Sequence, residues 1–191
     1  MTKLLETPPV PLSFTFDKDA ALAAMLYLVG ELNRPTRQTV FNLLYLVDKK
    51  HLGDYGRFIS TDTYYALAEG PVPGHLYDVL HFLEKQGEYL SLDKEFKQAF
   101  KEALQSVEGN RLEAATAPDL ENLSESDIKC LKGALETYSK LSSQELEQLC
   151  QDAAWKTTPR NQEMSLEAIV RTLPNSEELL EYLRDLFPGD L

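Results

Sequence analysis

The chain has 191 residues, 43% of them hydrophobic and 26% charged, a balance that fits one soluble domain with a real core and excludes large-scale disorder. Its formal net charge of -12 weighs against nucleic-acid binding, which draws affinity from neutralised phosphates unless a basic face is segregated. No apolar run approaches the roughly 20 residues of a membrane-spanning helix: Ala20 to Val29 is bounded by Asp17 and Glu31, and no secretory signal pattern opens the chain, so a cytoplasmic protein is expected.

Met1 to Thr15 holds Pro8, Pro9 and Pro11, which remove donors and favour an extended path, so residues 1–15 are expected as a surface arm and 16–191 as the domain. Leu4, Leu5, Leu12 and Phe14 would dock that arm onto the body. Asp17 suits the N-cap of a first helix carrying Ala21, Leu22, Met25, Leu26 and Val29, and Gly30, Asn33 and Pro35 end it. Thr36 caps a second helix with Val40, Leu43, Leu44 and Val47 on one face, which Phe41, Tyr45 and Leu52 broaden enough for central burial.

Gly53-Asp54-Tyr55-Gly56 is turn chemistry. Arg57-Phe58-Ile59 and Thr63 to Leu67 are expected as two short strands joined at Ser60-Thr61-Asp62. A lone hairpin is marginal in water, so this one must pack on helices. In Gly70-Pro71-Val72-Pro73 the glycine permits a positive φ, and Pro73 suits the first position of a helix burying Leu76, Val79, Leu80 and Leu83.

Asp93 to Val107 has helical spacing through Phe96, Phe100, Ala103, Leu104 and Val107, with Gly109-Asn110 as its stop. Arg111 to Ala115 is expected as a short strand added to the hairpin, and Thr116 to Leu123 as a linker. Ser124 or Ser126 opens a helix through Ile128, Leu131, Leu135 and Tyr138. Ser142 with Glu145 forms a capping box ahead of Leu146, Leu149 and Cys150. Ser165 starts a helix with Leu166, Ile169 and Val170, and Asn175 with Glu178 caps the last, which carries Leu179, Leu180, Leu183 and Leu186. The fold class is therefore mainly α (α+β): a single compact helical domain with a small antiparallel hairpin or short sheet packed on its helices.

No catalytic constellation stands out. His75 and His81 lie six apart, outside the i, i+4 spacing of helical metal ligands, and His51 ends the second helix; all three are expected at the surface or at helix ends. There is no G-x-S-x-G, Walker loop or dinucleotide fingerprint. Cys130 and Cys150 form no C-x-x-C pair, which points to free thiols. No enzyme activity, cofactor or metal is expected. Arg34, Arg37, Lys49, Lys50 and Arg57 are the candidates for a basic patch, but Asp48 and Asp54 interrupt them. An acidic surface steers a basic protein partner instead. Trp155 and Tyr65 are expected in the core, while Tyr64 and Tyr77 flank the glycine-proline turn and are candidates to face a groove.

The order of elements from Arg34 to Leu80, with Leu43-Leu44-Tyr45, the Tyr55-Gly56 turn, the hairpin and Gly70-Pro71-Val72 opening a helix, resembles the SocA-like antitoxins of the Panacea domain family. Leu141 to Leu146 followed by Trp155-Lys156 resembles that family's second signature, so the likeness runs from about Arg34 to Lys156. It implies an antitoxin that binds a cognate protein toxin, encoded next door, in a phage or mobile-element setting. Direct occlusion is the implied mechanism; one branch of the family instead delivers the toxin to a protease, and a DNA-binding regulator is a further alternative. Under occlusion, an acidic face captures the toxin's basic surface, and Arg57, Tyr64, His75 and Tyr77 are the candidate partner-binding residues.

Overall fold

A computed structural model describes residues 14–85, 94–107 and 110–186, the side chains of 82–85 excepted. Helix α1 (Lys18–Glu31) begins where the Asp17 side chain accepts from the Ala20 N–H, and α2 (Arg37–Tyr55) where Thr36 accepts from Thr39. Both caps satisfy amides that have no intrahelical partner. Burial runs round most of α1, from Ala20 to Val29, which makes it an interior helix and not a surface one with a single apolar stripe.

Helix α2 is the axis of the fold. One side joins α1 and the later helices in a core containing Met25, Leu28, Phe41, Leu44 and Phe100. The other side sets Tyr45 and Leu52 in a second core with Phe58, Tyr64, Ile169 and Leu183. Each fully buried leucine or phenylalanine contributes about 2 kcal/mol. Gly56, at φ 76, ends α2 in the left-handed conformation, its N–H bonded to the Leu52 carbonyl. A Cβ there would also strike the Tyr182 ring at 2.6 Å.

The expected first strand at Arg57-Phe58-Ile59 is not formed. Its polar groups are taken by side chains: Ile59 N–H donates to Asp48, and the Arg57 and Phe58 carbonyls accept from His51 and Arg57, while the Ser60 carbonyl just after it accepts from the N–H of Asp17, the cap of α1. The segment bends at Arg57 and at Ile59-Ser60, with Phe58 and Ile59 buried. The hairpin lies one step later, between β1 (Tyr64–Leu67) and β2 (Gly70–Pro73), with Tyr64 opposite Pro73 and Leu67 opposite Gly70. Tyr64 and Ala66 turn their backbone groups the other way, to Met164, Gln162 and Asn161. Pro71 and Pro73 therefore point outward from β2, and that edge offers no N–H to an added strand.

Helix α3 (Gly74–Lys85) follows at once. Leu76, Val79 and Leu80 are buried as expected; Leu83 lies outside the described side chains, as do Leu4, Leu5 and Leu12 of the proposed arm. Phe14 is described and meets Phe58 edge to face at 5.6 Å. Helix α4 (Lys94–Ala103) stops earlier than its pattern suggests, because Leu104–Val107 forms β3 against β4 (Arg111–Ala114). These strands make a separate two-stranded sheet, not an extension of the first hairpin. It docks on the start of α2 through Leu112 N–H to the Pro35 carbonyl and Arg37 N–H to the Asn110 carbonyl.

Capping boxes at Ser124 and Ser142 open α5 (Glu125–Tyr138) and α6 (Ser143–Cys150). A short α7 (Ala153–Thr157), capped by Asp152, was not evident from periodicity, since a single turn shows none. Ser165 caps α8 (Leu166–Val170), and α9 (Ser176–Leu186) closes the described chain. Asn175 does not act through its side chain as expected; its amide donates to the Gly53 carbonyl and ties α9 to α2. Leu149 and Leu186 are exposed instead of buried. No helix is long and apolar enough to cross a membrane among the described residues.

Candidate functional site

Three carboxylates organise the elements around the first hairpin. Asp48, wholly buried on α2, accepts from Ile59 N–H at 2.7 Å, Ser60 Oγ at 2.9 Å and the Tyr64 hydroxyl at 2.7 Å. Burial raises its pKa, although those hydrogen bonds pull the other way. Tyr64 is only 1% exposed, so the expectation that it faces a partner is corrected: it props β1 from inside.

Asp127 on α5 stands 2.8 Å from the Arg57 guanidinium and 2.9 Å from His51 Nε2. His51 Nδ1 donates to the Arg57 carbonyl at 2.9 Å. His51 is fully buried, not the helix-end surface residue its position suggested. Arg57 also donates to the Phe58 carbonyl at 3.0 Å. Its guanidinium joins α5 to the segment after α2, which is a structural task before it is a recognition task.

Asp62 governs the entry to α3. Its carboxylate accepts from the N–H groups of Thr63, His75 and Leu76 and from His75 Nδ1, at 2.8 to 3.1 Å. It thus serves as an N-cap supplied from upstream. The His75 ring stacks on Phe16 at 4.3 Å. The Asp62 hydrogen bond raises the His75 pKa against the opposing effect of burial. A raised histidine pKa adds stability that is fully present below the unfolded value and is lost as pH rises through the folded one. The stability gap between the protein and His75→Gln is therefore expected to be larger at about pH 5 than at about pH 9, read from paired thermal melts. An equal gap at both would remove the ion pair.

A groove of about 430 Å³ opens between the hairpin and α3, lined by Tyr65, Leu67, Val72, Gly74, His75, Tyr77 and Asp78 among others. Leu67, Val72 and Tyr77 also border a smaller groove of about 200 Å³ on the side of Arg37 and Glu69. The hairpin and Tyr77 thus form a ridge between two concave surfaces. Of the four residues singled out from the sequence, His75 and Tyr77 meet here, while Arg57 and Tyr64 belong to the buried networks.

Tyr65 and Asp78 were missed. Strand alternation holds the signal for the first: with Tyr64 pointing inward, Tyr65 must point outward, and it is half-buried on the groove. Trp155 is likewise half-buried, its indole N–H donating to the Leu67 carbonyl at 2.9 Å. A Cβ on Gly74 would sit 2.7 Å from the Tyr65 ring, so the ring rests on a glycine floor.

Another groove, about 620 Å³, lies between α2 and α5 and includes Leu46, Ile128 and Tyr138. Its Lys50 and Asp54 satisfy each other. The other cations of the supposed basic patch are engaged in the same way: Arg34 with Glu113, Lys49 with Asp152, Arg57 with Asp127, and Arg37 with the Asn110 side chain.

No curated protein and no solved structure matches the chain. The sequence model of the SocA-like antitoxin family, Panacea domain, matches residues 40–156. That span covers well over half of the chain, from α2 through both hairpins, α5 and α6 to the tryptophan of α7. The chain belongs to the SocA-like antitoxin family and carries its Panacea domain.

Proposed function

We propose that the protein is a non-catalytic antitoxin that binds a cognate protein toxin, encoded beside it on a phage or other mobile element, and neutralises it by covering the toxin's working surface. Membership of the SocA-like family carries this reading. The net charge of -12 favours a toxin with a basic surface, since opposite potentials speed encounter and disfavour wrong partners. The engagement of Arg34, Arg37, Lys49, Lys50 and Arg57 within the fold favours a protein partner over DNA, because phosphate binding needs cations free to release counterions.

Co-expression with the product of the adjacent open reading frame tests the reading. The expected result is rescue of growth together with a complex that co-purifies on a tag. Rescue accompanied by loss of the neighbour's protein would replace occlusion by delivery to a protease. A harmless neighbour that does not co-purify would overturn the antitoxin reading.

A further inference from the structure

We propose that the groove between the first hairpin and α3 seats an arginine side chain of the protein partner, its guanidinium held by the Asp78 carboxylate and stacked against Tyr65. The antitoxin reading supplies the partner's identity; the chemistry of the seat stands on the groove itself.

Asp78 is half-buried on the groove wall and makes no hydrogen bond or ion pair with any described residue. Of the two histidines whose charge acts on it, His75 has committed Nδ1 to Asp62 and His81 stacks on Tyr77. Withdrawing a carboxylate from water without a partner is costly, and burial accordingly raises the Asp78 pKa, with the histidines only partly opposing it. The Tyr65 pKa is raised first by burial and then by Glu163, Asp78 and Asp62.

An aromatic, concave and negatively charged surface selects a cation. Among protein cations, a planar guanidinium can stack on tyrosine while hydrogen-bonding a carboxylate, which a lysine ammonium does less well. An acidic guest would meet Asp78, and an apolar one would strand it.

Titrating the full-length protein with the peptide acetyl-Gly-Arg-Gly amide, and with its glutamine counterpart, while following backbone amide NMR shifts, tests the seat. Saturable shifts are expected at Tyr65, Val72, Gly74, Tyr77 and Asp78 with the arginine peptide only. Asp78→Asn, which keeps shape and removes charge, is expected to weaken that binding about tenfold. Gly74→Ala, which pushes the Tyr65 ring off its floor, is expected to weaken it as well. No saturable shift, or equal binding to the protein and to Asp78→Asn, overturns the seat. A toxin complex that forms equally well with Asp78→Asn would also overturn it while leaving the antitoxin reading intact. Peptide binding beside a harmless, non-binding neighbour would keep the seat and sink that reading.

Discussion

Replacing Asp48 by alanine is expected to destabilise the protein by about 3 to 5 kcal/mol, which for a chain of this size lowers the melting temperature by about 10 °C. The carboxylate is fully buried, held by donors from Ile59, Ser60 and Tyr64, with no cation among the described residues acting on it. Each hydrogen bond to a charged acceptor contributes about 1.5 to 3 kcal/mol, and each buried donor left unpaired costs about 1 to 3 kcal/mol. Recovered desolvation of the carboxylate offsets part of that loss. Alanine would strand Ile59 N–H, Ser60 Oγ–H and the Tyr64 hydroxyl together, releasing the segment that leads into β1 and with it the wall of the groove. Asp48→Asn keeps one acceptor oxygen but turns an amide N–H₂ toward a donor, so its loss should be intermediate.

The pH dependence carries the opposite sign to that of an ordinary surface carboxylate. A carboxyl whose folded pKa is raised contributes stability that is present when protonated and declines as pH rises from its unfolded value through the folded one. Asp48→Asn should lack that decline. Chemical denaturation at several pH values measures both effects, and an Asp48→Ala protein as stable as the parent would disprove the hub.

Asp127→Ala is expected to cost about 2 to 4 kcal/mol, somewhat below the usual figure for breaking a buried pair because the Arg57 side chain is partly open to solvent. His51 is fully buried and would keep only the Ser126 hydroxyl, at 3.0 Å, beside its Nε2. Burial pushes the Asp127 carboxyl up, but hydrogen bonds from His51 and Ser124 and the charge of Arg57 outweigh it and hold the pKa at about 2. A depressed carboxylate pKa means the stabilisation is present above the unfolded value and is lost as pH falls through the folded one. The gap between the protein and Asp127→Ala should therefore be wide at neutral pH and close as pH approaches about 2. A gap that stays constant on acidification would assign the loss to packing alone. Arg57→Ala belongs to the same experiment: its first effect is expected on stability, and weakened partner binding with an unchanged melt would return Arg57 to the interface.

Local chemistry was the legible part of the sequence. Asp17, Thr36, Ser124, Ser142 and Ser165 all cap the helices their positions announce, because a cap needs only the next three residues. Strands depend on a partner elsewhere in the chain, and here the pairings went astray: Tyr64–Leu67 and Arg111–Ala114 are strands as expected, but they pair with Gly70–Pro73 and Leu104–Val107. Phe58-Ile59 has strand composition but spends its hydrogen bonds on Asp48 of α2 and the Arg57 side chain, while the prolines of Gly70–Pro73 disguise an edge strand as a turn. Helical periodicity carried on through Leu104 because that leucine is buried in either conformation; pairing with Ala114 decided for a strand.

The polar interior left a trace that periodicity alone can expose. Asp48 and His51 share the face of α2 that carries Tyr45 and Leu52, so each occupies a position where an apolar residue is expected. A charged or titratable side chain on a core face demands partners, and those partners, Tyr64 and Asp127, are distant in sequence. The groove was half legible for a related reason: Tyr77 and His75 adjoin the conspicuous glycine-proline segment, whereas Tyr65 and Asp78 join them only once the strand register and the helix start are known.

The central claim, that this chain neutralises its toxin by direct occlusion, is tested most directly by titrating the purified protein into the purified toxin and following the toxin's own activity with no protease present. The account predicts activity falling linearly to zero at a fixed molar ratio, with a complex of that composition by light scattering. Full toxin activity at saturating protein would contradict it.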